Sequence, residues 1–137
     1  MCLGCGGVAL TDKLKGSEQV EKTFGYISAL TKECRKALTT TFERDHKGLP
    51  FDAIDSVLRR DVEAWFTNRD RNIELTHEES KVGKPGELLV TYGGSTKETC
   101  FKIHITGSFT VAGASRKSPA YLKSWHLSVD KREFSKK

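Results

Sequence analysis

The hydrophobic period of this chain changes near Arg71, and that change most constrains what it can fold into. Upstream, Val20, Phe24, Ile27, Thr31, Cys34, Leu38 and Phe42 recur at spacings of three or four, the apolar stripe of an amphipathic helix. Ser17 stands where an N-cap is expected, with Glu18 and Glu21 in the first turn, and "RDHKGLP" closes the helix with basic residues, a glycine suited to the C′ position and Pro50. Asp52 is then expected to cap a second helix. Its broad apolar face carries Ile54, Val57, Leu58, Val62, Trp65 and Phe66 before "TNRD" ends it.

Past Arg71 the alternation has a period of two. In "NIELTHEE", Ile73, Leu75 and His77 share one face, while Asn72, Glu74, Thr76 and Glu78 share the other. "KVGKPG" and "YGGST" have the composition of turns, and "ELLVTY" between them reads as a strand whose inward set is either Leu88, Val90 and Tyr92 or Leu89 and Thr91. In "CFKIHITGSFTV", Phe101, Ile103, Ile105, Phe109 and Val111 alternate with Lys102, His104, Thr106, Ser108 and Thr110, with Gly107 a place for a bend. After "AGASRKSP", Tyr121, Trp125, Leu127 and Val129 point one way, and Ser124, His126, Ser128 and Asp130 the other.

Short loops between these strands favour antiparallel neighbours. The expected fold class is therefore α+β: two N-terminal α-helices packed on one face of a four-stranded antiparallel meander sheet, the other face wet. Residues 1–137 fit a single domain, with 1–15 a frayed N-terminus and 131–137 a basic C-terminal tail. A regular last hairpin centred near residue 115 sets His104 opposite His126; a register shifted by two sets His104 opposite Ser128 instead. Either way both rings share the wet face, within about 7–8 Å of each other.

Two such histidines are the candidate catalytic pair, one as general base and one as general acid in metal-independent cleavage of an RNA phosphodiester, with Lys102, Arg116 and Lys117 as candidate phosphate-binding groups. His77, on the apolar face of its strand, reads as a core histidine, or as the polar group of a ligand pocket lined by Trp65, Tyr121 and Trp125. His46, near the end of the first helix, suits the dipole there. Cys2 and Cys5 have the C-x-x-C-G spacing of a zinc knuckle, but two further thiolates would have to come from Cys34 in a helix and Cys100 in a strand. No metal or other cofactor is expected, and a reduced N-terminus is the reading preferred.

Charge and hydropathy narrow the classes. The net charge of +5 favours an acidic partner or nucleic acid, yet the cations are dispersed rather than clustered. Core-facing Phe101, Phe109, Tyr121 and Trp125 leave the wet face without the exposed rings that single-stranded RNA stacks on. No apolar run reaches the roughly 20 residues of a membrane span, and the N-terminus lacks the n- and h-regions of a secretory signal, so a soluble, intracellular and chiefly cytoplasmic protein is expected. By architecture alone the layout is similar to cystatins and the nuclear-transport-factor group, and to ribonuclease toxins of the barnase and colicin kind; no motif of theirs is matched.

Three functions follow from this reading. The preferred one is a small non-catalytic binding module that engages a protein partner or small ligand with a helix-covered curved sheet. The alternatives are the metal-independent ribonuclease and a basic nucleic-acid-binding adaptor. An open sheet edge also makes a homodimer an expectation to test.

Overall fold

The computed structural model describes residues 13–131, with side chains described for 20–130. Among these residues two helices, α1 (Lys13–Arg44) and α2 (Phe51–Arg69), precede four strands, β1 (Glu74–Val82), β2 (Glu87–Ser95), β3 (Cys100–Val111) and β4 (Ala120–Lys131). The strands form one open antiparallel sheet in the order β1-β2-β3-β4. This is the α+β layout expected from the change of period.

With 32 residues, α1 is about 48 Å long and packs chiefly along β4. It starts at Lys13, so Ser17 lies within the helix rather than capping it, and the helix takes in the last residues of the segment 1–15 expected to fray. The remainder of that segment, and the basic tail beyond Lys131, lie outside the described residues. The second cap is also corrected: Pro50 occupies the N-cap of α2 without a side-chain bond, and Asp52 sits in the first turn, where its charge still complements the helix dipole.

The linker between the helices covers one end of the sheet. Gly48, in the left-handed region at φ 77°, donates to the Ala120 carbonyl at 3.1 Å, and Ala120 donates back to Leu49 at 2.8 Å. With the Pro50–Pro119 bridge, this pairs the start of β4 with chain rather than leaving an open edge.

The core lies between helices and sheet. Ile27, Leu30, Cys34, Leu38 and Phe42 of α1 and Ile54, Leu58, Val62 and Phe66 of α2 meet Val90, Tyr92, Phe101, Ile103, Ile105 and Phe109. Burial of Leu88, Val90 and Tyr92 settles which set of β2 faces inward. Phe42, Phe109 and Trp125 form an aromatic group with centroids 5.1–6.3 Å apart. Gly93 and Gly94, whose composition suggested a turn, lie inside β2; a side chain at Gly94 would collide with the Phe101 ring, so glycine is needed there for close approach.

Two bulges modify the strand faces. In β1, His77 pairs with Tyr92 and Glu79 with Thr91, leaving Glu78 as the extra residue. In β4, Ser124 pairs with Ser108 but Leu122 with Phe109, leaving Lys123 extra. That second bulge reverses the parity at the start of β4. Ala120 turns inward, and Tyr121, expected in the core, is 43% exposed.

Candidate functional site

The outer sheet face, opposite the helices, is built from alternate residues of β2, β3 and β4. Thr91, His104 and Ser128 lie in one cross-strand row, and Leu89, Thr106 and His126 in the next. The realised register is therefore the shifted one: His104 stands opposite Ser128, and His126 opposite Thr106. The two histidines share a face on a diagonal, where cross-strand spacing is about 7–8 Å.

Other charges already occupy this face. His104 Nε2 lies 2.9 Å from Asp130 Oδ2, and Lys102 Nζ lies 3.4 Å from Glu78 Oε1 of β1. With His104 40% and Asp130 67% exposed, the first pair lies in water and adds little to stability, but it sets a carboxylate beside the ring. The second offsets the positive charge at the position proposed to hold phosphate. Arg116 and Lys117 lie in the loop after Val111, nine residues along β3 from Lys102, or about 30 Å at the usual strand rise. Lys102 and that loop therefore do not converge on one phosphate.

The expected pocket around His77 does not gather its residues either. Trp125 is buried against Phe42 and Phe109, with its indole N–H unpartnered. Trp65 packs edge-on against Phe66, with the Arg69 guanidinium 4.8 Å from its ring centre. Tyr121 is exposed beside Gly48. His77 faces the helix side, as its place on the apolar face of β1 implied, with its ring edge-on to Tyr92 at 5.7 Å.

His77 instead enters a network that the sequence did not reveal. Its Nε2 is 2.6 Å from Ser80 Oγ, and Ser80 Oγ donates to Asp55 Oδ1 of α2 at 2.6 Å. Asp55 also lies 3.7 Å from Arg59. Beside it the Tyr92 hydroxyl donates to Glu63 at 3.0 Å, and burial, followed by that carboxylate, raises the Tyr92 pKa above its ordinary value.

The order of this network limits its chemistry. A nucleophilic triad sets the imidazole between hydroxyl and carboxylate, so that the ring takes the hydroxyl proton. Here the hydroxyl stands between, donating its proton to Asp55 and receiving one from the His77 ring. The arrangement fastens β1 to α2 and does not activate Ser80. His46 does a similar job elsewhere, its Nε2 2.9 Å from Asp61 Oδ2 joining the end of α1 to α2.

The cysteines divide. Cys34 is a free, buried thiol whose pKa burial pushes up to about 12, and Cys100 is disulfide-bonded. As they stand neither is a free thiolate; Cys2 and Cys5 lie outside the described residues. Among the described residues no group of three or more His, Cys, Asp or Glu could hold a metal ion, and no helix is long and apolar enough to cross a membrane.

Comparison with protein-family models, with curated proteins and with solved structures finds no match for this chain.

Proposed function

We propose that this protein is a non-catalytic binding module whose outer sheet face receives a protein partner. The observation that carries the reading is the composition of that face: Thr91, Thr106, Ser108, Ser124 and Ser128 surround charges already paired as His104–Asp130 and Lys102–Glu78. Short hydroxyl side chains lose little rotamer freedom when covered, and each can donate or accept a hydrogen bond. A face whose cations are offset by carboxylates provides a poor field for a polyanion, which weighs against the nucleic-acid adaptor.

Native mass spectrometry of protein isolated from its source tests this. The expected result is a protein adduct, lost on Ser124→Arg or Thr106→Arg and retained on Lys36→Glu of α1. Retention by both sheet variants would refute the assignment of the face. A mass equal to twice the chain would make the partner a second copy.

One observation favours ribonuclease as a second reading. His104 and His126 share a face, and Asp130 stands where it can orient the His104 ring. Cleavage of a mixed-sequence RNA by the wild type, reduced about 100-fold by His104→Gln and by His126→Gln, would establish it. We expect no cleavage.

A further inference from the structure

A cleft of about 250 Å³ opens at the end of the sheet, lined by Arg71, Asn72, Glu74, Ser95, Thr96 and Lys97. Two turns face each other across it: the α2–β1 turn carries Arg71 and Asn72, and the β2–β3 turn carries Thr96 and Lys97. Glu74 and Ser95 are a cross-strand pair between them.

Both turns are held by their own bonds. In the first, Asp70 Oδ1 accepts from the Asn72 amide at 2.9 Å, its backbone carbonyl accepts from Ile73 at 3.2 Å, and its other carboxylate oxygen accepts from the Tyr26 hydroxyl of α1 at 3.0 Å. In the second, Thr96 Oγ1 accepts from the amides of Glu98 and Thr99 at 3.2 and 3.3 Å, and the Thr96 amide donates to the Thr99 carbonyl at 2.9 Å. The walls are therefore fixed. The side chains of Arg71, Asn72, Ser95 and Lys97 form no hydrogen bond or ion pair among the described residues.

Two unpaired cations and two uncharged side chains able to donate, on two fixed turns and the adjoining end of β2 around one hollow, match the needs of an oxyanion. The guanidinium offers a planar fork to two phosphate oxygens, the ammonium a compact charge, and Ser95 and Asn72 neutral donors. Glu74 opposes a bare anion but can accept from a hydroxyl or ammonium group, so the cleft suits a molecule that carries both.

We infer that this cleft binds a small phosphomonoester bearing a hydroxyl or amino group, with the phosphate between Arg71 and Lys97 and the second group toward Glu74. The cleft draws on the two turns and the adjoining ends of β1 and β2, whereas the residues that carry the partner-binding face lie farther along β2 and on β3 and β4.

The test is a titration of backbone amide NMR signals with inorganic phosphate and with O-phosphoethanolamine at matched ionic strength. Saturable shifts are expected at residues 71–74 and 95–97 with both probes, tighter for O-phosphoethanolamine. Arg71→Gln and Lys97→Gln should each weaken both probes by about tenfold or more, as expected for loss of a charged hydrogen bond. Glu74→Gln should tighten inorganic phosphate and abolish the preference for the amine. Arg116→Gln, in another loop, should change nothing. Absent or unsaturable shifts, equal shifts with chloride, or shifts that survive both cation variants would overturn the site. A preference for O-phosphoethanolamine that survives Glu74→Gln would overturn the placement of the second group. All of the variants except Arg116→Gln change only cleft residues outside the core, so they should leave the fold intact.

Discussion

His77 and Ser80 face the same side of β1 although they stand three positions apart. In a regular strand that spacing places two side chains on opposite faces. The extra residue Glu78 restores the match, so that the ring reaches the hydroxyl at 2.6 Å and the hydroxyl reaches Asp55. The bulge thereby locks an edge strand to α2.

Ser80→Ala should therefore destabilise the fold by about 1–3 kcal/mol, because the half-buried ring and carboxylate both lose their partner. Asp55→Asn should cost less, since an amide oxygen can still accept from the hydroxyl. Chemical denaturation of the two variants checks this, and a negligible effect of Ser80→Ala would mean that water replaces the hydroxyl without loss.

The register of the last hairpin is a second point of test. Cross-strand nuclear Overhauser contacts should join residue 104 to 128 and 106 to 126. A contact joining 104 to 126 directly would restore the unshifted hairpin and undo the Lys123 bulge.

Face assignment predicts unequal costs along β3. Phe101 and Ile103 are fully buried, so replacing either with Ala should cost about 2–5 kcal/mol through lost contacts and a residual cavity. Lys102→Ala loses an exposed ion pair and should cost less than about 1 kcal/mol. Urea melts of the three variants measure the difference.

Stability should decline in alkali. The Cys34 thiol has an ordinary value of 9.0 and is pushed up to about 12 by burial. Above pH 9 the unfolded chain releases a proton that the native state retains, so this contribution is complete below pH 9 and is lost as pH rises toward 12. Each pH unit in that window removes up to about 1.4 kcal/mol. Tyr92, also raised, adds a loss of the same sign above its ordinary 10.0. Urea midpoints followed from about pH 8 to about pH 11 should fall for the wild type and fall less for Cys34→Ala.

Periodicity was enough to read the helices, the strands and their meander, because burial on one side imprints 3.6 on a helix and two on a strand. What it could not carry was any feature that depends on one extra residue. Lys123 leaves no mark in "YLKSWHL", yet it turns Tyr121 outward and with it removes one wall of the expected pocket. Glycine misled in a similar way: Gly93 and Gly94 resembled a turn, but Gly94 is required by the ring of Phe101, a partner fixed only by the register of the β2–β3 hairpin. The shared face of His104 and His126 was legible from parity; the pairing of His104 with Asp130 depended on register. The cleft at Arg71 and Lys97 was not legible, since its residues come from two turns that only the sheet brings together.

The outer face as the binding surface is tested most directly by site-specific photo-crosslinking in the native source. A photoreactive residue at position 124, exposed on the outer face of β4, should yield a discrete protein adduct, whereas one at position 36, exposed on α1, should yield none. Adducts from position 36 alone would contradict the account and move the binding surface to the helices.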